Sequence, residues 1–176
     1  NLKDTPRALK VWHNKNVVKL FSEMEVLTPR ELEARAEIEF ENYILKIQIE
    51  SRLMGDLVQN NFIPAAVEYQ NKLLQNVQGL ISVLGDKAGR TAAKAQIELL
   101  EKVSMHINKM KEASDAMLAQ RKLANKLESA EQKALAYCDQ VKVHFDEIRY
   151  HADKLELLVE DELWPLPKFR ELLFIR

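Results

Sequence analysis

His144, Glu147 and His151 carry the clearest metal-binding pattern in the chain, since spacings of three and four place them on roughly one helix face. Two imidazoles and a carboxylate suit zinc, but a closed site needs further ligands from a second helix. Asp146, Arg149 and Asp153 interleave with them, and a solvated face held by helical ion pairs is the stronger reading. His13 and His106 have no acid or cysteine at ligand spacing and read as ordinary surface or packing residues. Cys138 sits beside Tyr137 in an apolar stripe without a neighbouring base, which describes a buried structural thiol. Lys109, Lys111, Lys122 and Lys126 alternate with acids, as on a solvated face rather than a phosphate-binding one. Trp164, flanked by Pro165 and Pro167, suits either a docking motif for a partner or an internal clamp on the last helix. The sequence has no Gly-rich phosphate loop, nucleophile elbow or paired cysteines. No residue is therefore assigned a catalytic, cofactor-binding or metal-binding role.

The elements that would position these groups are helices. Thr5-Pro6 predicts a short helix with Thr5 as its cap, and Val17, Val18, Leu20 and Phe21 form an apolar cluster that needs cover. Thr28-Pro29-Arg30-Glu31 predicts a capping box, in which the Thr28 hydroxyl and the Glu31 carboxylate each accept from the other's backbone N–H. In the helix that follows, Leu32, Ala36, Phe40, Tyr43, Ile47, Met54 and Val58 recur at spacings of about three and four. A second set, Ile38, Leu45, Ile49, Leu53 and Leu57, widens the stripe, so this helix is expected to pack on more than one neighbour. Pro64 predicts a kink or restart near 60–62. Ala66, Tyr69, Leu73, Val77, Leu80 and Leu84 then resume the stripe, and Gly85 is placed to end it in an 85–89 turn.

From 90 to 160 the pattern is helical almost throughout, with one stripe from Ile97 to Met110 and another from Leu127 to Val159. A turn near 112–115 capped by Ser114 is expected, the alternative being a long two-stranded antiparallel coiled coil. Leu163 to Phe169 is expected to be non-helical, with the residue before each proline extended, because such residues avoid the helical region. Leu172, Leu173, Phe174 and Ile175 are expected to dock on a core or a partner. The fold class is thus all-α, with long kinked helices in an antiparallel bundle or coiled coil and an extended Pro-containing C-terminal tail.

Bulk composition agrees. The 176 residues include 4 Gly, 5 Pro and 7% aromatics, a helix-rich balance with length for one core. A net charge of −1, from 26 basic and 27 acidic residues, argues against a nucleic-acid partner. No apolar run approaches the ~20 residues of a membrane span, and no signal peptide is read at the start. One cysteine fits a reducing compartment, so a cytoplasmic location is expected. Asn1 at the first position suggests a piece of a longer or processed chain.

Three groups of motifs carry a family resemblance. Asn1-Leu2-Lys3-Asp4, Ala8-Leu9 and Val17-Val18 resemble the closing stretch of glutamine synthetase catalytic domains. Val18-Lys19-Leu20-Phe21, Glu31-Leu32-Glu33-Ala34-Arg35, Glu41-Asn42-Tyr43, Ile47-Gln48-Ile49-Glu50 and Ile63-Pro64-Ala65-Ala66 are similar to the run that follows in the type III family. Leu163-Trp164-Pro165-Leu166-Pro167 with Glu171-Leu172-Leu173-Phe174 resembles that family's closing signature. Ala36, Gln48 and Phe169 depart from it, where an aromatic, Asn and Tyr are usual. The resemblance implies that 1–27 end a catalytic domain and connect onward, while 28–176 form a helical C-terminal domain. It further implies a parent ligase that joins glutamate and ammonia with ATP and Mg or Mn, in a large cytoplasmic homo-oligomer. This region would then be structural, contacting its own catalytic domain and sister subunits, with the catalytic residues elsewhere. A stand-alone coiled-coil adaptor is the alternative.

Overall fold

The computed structural model describes residues 2–173, and the side chains of Phe169 and Arg170 are not described. Among these residues the regular elements are all helical: α1 (Thr5–Leu9), α2 (Lys15–Glu23), α3 (Pro29–Leu57), α4 (Ile63–Leu84), α5 (Asp86–Ala92), α6 (Lys94–Ala124), α7 (Ala130–Ala136), α8 (Phe145–Leu158) and α9 (Phe169–Leu172). The chain forms two compact units, one of Asn1–Leu53 with Ala116–Phe145 and one of Met54–Asp115 with Asp146–Arg176.

In the first unit, α1 starts one residue earlier than its threonine suggests. Asp4 is the cap, its carboxylate accepting from the Arg7 N–H at 2.9 Å. A carboxylate at this position satisfies a free N–H and also faces the positive helix end, an advantage Thr5 lacks. The capping box of α3 forms as the spacing requires: the Thr28 N–H donates to Glu31 Oε2 at 2.8 Å and the Glu31 N–H to Thr28 Oγ1 at 3.3 Å. Leu32, Ala36, Phe40, Ile44 and Ile47 are buried along α3 and continue into Ser51. The second apolar row is not: Ile38, Leu45, Ile49 and Leu53 are 54–58% exposed. On α2 no residue is buried, and Leu20 is exposed. Tyr137 lies in a π-helical turn (Tyr137–Val141), wholly buried, and donates its hydroxyl to Asn125 Oδ1 at 2.6 Å. Gln48 donates to the same oxygen at 2.9 Å, tying α3 to the turn after α6.

In the second unit, Pro64 leaves its mark as expected. A π-helical turn (Val58–Phe62) precedes α4, with Pro64 in the first turn of that helix. The wider π turn makes room for the ring and the missing donor without ending the helix. Gly85 closes α4 with φ 81°, a left-handed value that favours glycine. α5 begins at once, so the 85–89 turn narrows to that residue. Gly89 lies against the backbone of Leu80 and Ile81, where a side chain has no room.

The turn expected at 112–115 does not exist. α6 runs unbroken from Lys94 to Ala124, and the reversal comes at 125–129, where Ser129 caps α7. The buried stripe Val103, His106, Met110, Ala113, Met117 and Ala124 keeps helical phase throughout. Small residues hide that stripe from a reading based on large apolar side chains, and Ser114 is buried in the helix interior.

Residues 163–168 are non-helical, as the prolines require, but Phe169, expected outside any helix, opens the short α9 because it lies beyond the reach of Pro167. Trp164 is buried and stacks on Phe62, with centroids 5.2 Å apart and planes 6° apart. Lys168 donates to the Val159 carbonyl at 2.9 Å and pairs with Asp161 at 2.6 Å. Trp164 is therefore an internal clamp. Leu172 and Leu173 are exposed, so of the two expected docking sites the chain's own core does not receive them, and Phe174 and Ile175 lie outside the described residues.

Candidate functional site

Two clusters gather chemistry-bearing side chains, one in each unit. In the first, Arg7 bridges two carboxylates: it pairs with Asp4 at 2.5 Å and with Asp139, 132 positions away in sequence, at 2.8 Å. Asp4, Cys138 and Asp139 bring their ligand atoms within 4.8 Å of one another, and among the described residues no other such group of three forms. The bond from Arg7 holds Asp139 below its usual range. For Asp4, burial acts upward, but the backbone and side-chain bonds from Arg7 outweigh it and the carboxyl also sits low. Burial, then the neighbouring Cys138 thiol, push the Tyr43 hydroxyl upward. Cys138 itself is half-buried rather than sealed in the core.

This cluster suits an ion pair better than a metal. The guanidinium already neutralises both carboxylates with directed bonds, and a thiol is a poor ligand for the hard cations Mg and Mn. The donor set does not fit such an ion.

In the second unit, α6 and α8 bring His106 and His151 together, their Nδ1 atoms 2.9 Å apart. Both rings are buried. Burial lowers both pKa values; His151 and Lys154 lower His106 further, while Glu147 opposes and Lys109 reinforces the shift at His151.

The sequence-selected residues disperse accordingly. His151 turns to His106, while His144 and Glu147 do not join it in a three-ligand group. Arg149 and Asp153 form the expected i,i+4 pair at 3.8 Å. His13 lies on the surface, 3.6 Å from Glu131 and with its ring beside Phe40. Lys109 and Lys111 pair with Glu112 and Asp115, and Lys122 and Lys126 are exposed, so these lysines line a solvated face. Sequence reasoning missed the Arg7–Asp139 and His106–His151 pairings, because long separation leaves no periodic signal for such partners. The one local clue was Asp4, three residues before Arg7.

A groove of about 710 Å³ between α4 and α6 is lined by Leu74, Ile97, Leu100 and Met105, with Gln70, Glu101, Asn108 and Lys109 at its rim. No nucleophile with an adjacent base lies along it, so the groove offers surface rather than chemistry.

Residues 1–80 match the family described as glutamine synthetase C-terminal domain. A glutamine synthetase of Bacteroides fragilis (strain YCH46) is 36% identical over 176 residues, and a type-3 glutamine synthetase of Dictyostelium discoideum 34%. A glutamine synthetase of Butyrivibrio fibrisolvens is 27% identical over 175 residues. These alignments cover 99–100% of this chain, but the chain spans only 24% of the length of each relative.

Proposed function

The chain belongs to the glutamine synthetase C-terminal domain family, and from that premise we propose that it serves a type III glutamine synthetase as a structural and assembly domain. The parent reaction is the ATP- and Mg- or Mn-dependent ligation of glutamate and ammonia, carried out by residues of the catalytic domain. Residues 1–27 would close that domain and connect it to the helical domain of 28–176. The partners are the chain's own catalytic domain and sister subunits of a large cytoplasmic homo-oligomer. Among the described residues no helix is long and apolar enough to cross a membrane.

One observation carries this reading. The exposed row of Ile38, Leu45, Ile49 and Leu53 lies on a well-capped helix whose other stripe is already buried. Four large apolar side chains at helical spacing share one exposed face, and exposed apolar faces of this kind mark protein interfaces. Each is a little over half exposed, so covering the remainder would stabilise by about 1–1.5 kcal/mol per side chain. The adaptor alternative relied on Trp164 gripping a partner, but Trp164 is spent on Phe62.

The test replaces Ile38, Leu45, Ile49 and Leu53 by Gln in the full-length enzyme and reads assembly by sedimentation velocity. Smaller species with unchanged helicity are expected. Intact assembly in that variant would overturn the proposal.

A further inference from the structure

His106 and His151 play no part in the assembly reading, yet two basic rings face each other inside the second unit. Their Nδ1 atoms lie 2.9 Å apart, and the residues are only 7% and 8% exposed. At that separation one nitrogen donates its N–H and the other accepts with its lone pair, so the two rings are opposite tautomers sharing one proton. Tyr150 packs edge-on against His151 at 5.1 Å, and the Lys154 ammonium lies 5.4 Å from the Tyr150 ring centre.

The surrounding charges are unbalanced. Lys154 acts on His106 from α8, Lys109 acts on His151 from α6, and Glu147 opposes Lys109 at His151. Lys109 is bonded to Glu112. On α4, Glu68 acts on Lys72, whose ammonium is bonded to Glu160. A bridging metal is the weaker reading of the facing nitrogens: two ammonium groups repel a cation, and no third ligand joins the histidines among the described residues.

Protonation acts on this geometry in two stages. A first extra proton can go to an outer Nε2, leaving a charge-assisted N–H···N bond between the rings. A second puts N–H groups on both Nδ1 atoms, so two positive rings touch with no acceptor between them. We propose that the His106–His151 pair is an acid-sensitive lock on the α6–α8 seam, closed while the rings carry at most one extra proton and opened by the second.

The sign follows from the shared preference for the neutral form. Both rings titrate below the ordinary 6.5 when folded, so the stability they confer is complete above that value and falls as pH drops below it. Each histidine costs up to about tenfold in the folding constant per pH unit there, and the two together up to about a hundredfold.

The experiment follows the histidine ring nitrogens of the intact chain by NMR from about pH 8 to pH 4. Two coupled steps are expected, the second well below the first and coinciding with loss of α6–α8 contacts. The variant H106Q leaves His151 titrating singly, and H106Q/H151Q flattens the dependence of melting temperature on pH. Independent titration of both rings near the ordinary value overturns the proposal, as does an unchanged pH profile in the double variant. Zinc that raises the melting temperature of the wild-type chain but not of H106Q overturns it in favour of a metal site. The wild-type titration decides the matter even if a variant fails to fold.

Discussion

Substituting Gly89 by alanine tests the close approach of α5 to α4 in the second unit. An added Cβ would lie 2.8 Å from the Ile81 nitrogen and 2.9 Å from the Leu80 carbonyl oxygen. The Ile81 Cα would lie closer still; ordinary contact is about 3.5 Å, so α4 and α5 would have to part by roughly 1 Å along a rigid backbone. Overpacking of this kind costs about 1–3 kcal/mol. Against it stands the helix propensity gained on replacing glycine, about 1 kcal/mol. Gly79 supplies the control, because it is also helical and an added Cβ there meets nothing within 4 Å. Gly79→Ala should therefore stabilise by up to about 1 kcal/mol. The propensity gain is common to both variants, so their difference isolates the packing cost of about 1–3 kcal/mol. Urea unfolding followed by circular dichroism measures it. Equal stability of the two variants would refute the close approach.

Two further substitutions probe the same unit. Ser114→Pro should destabilise by about 3 kcal/mol or more, because position 114 lies inside α6 and proline breaks its hydrogen bonding; a variant that melts with the wild-type chain would restore the turn near 112–115. Trp164→Ala should cost about 3–5 kcal/mol through loss of the buried stack on Phe62, whereas Trp164→Phe should recover most of it. Near-equal melting temperatures for wild type and Trp164→Ala would place the tryptophan outside the core.

Where a signal is local, the sequence carried it to the structure. The Thr28–Glu31 box, the π turn before Pro64, the Gly85 stop and the non-helical 163–168 segment depend on residues within one or two turns of each other. The family resemblance was legible for a related reason, since its motifs are runs of neighbours. Where burial decides, the sequence was ambiguous. Ile38, Leu45, Ile49 and Leu53 match the buried row of α3 in type and spacing, yet they are exposed. Ala113 and Ser114 look unremarkable in sequence, yet they carry the α6 stripe through the expected break.

The sequence by itself determined that the chain is helical, where several helices start and stop, and which family it resembles, because propensities, caps and prolines act through the nearest residues. Only the tertiary structure decided which apolar row is covered, that Trp164 clamps inward on Phe62, and that Arg7 meets Asp139 while His106 meets His151. Those pairings join residues up to 132 positions apart. Their energy depends on packing that brings distant surfaces together, and no spacing along the chain encodes it.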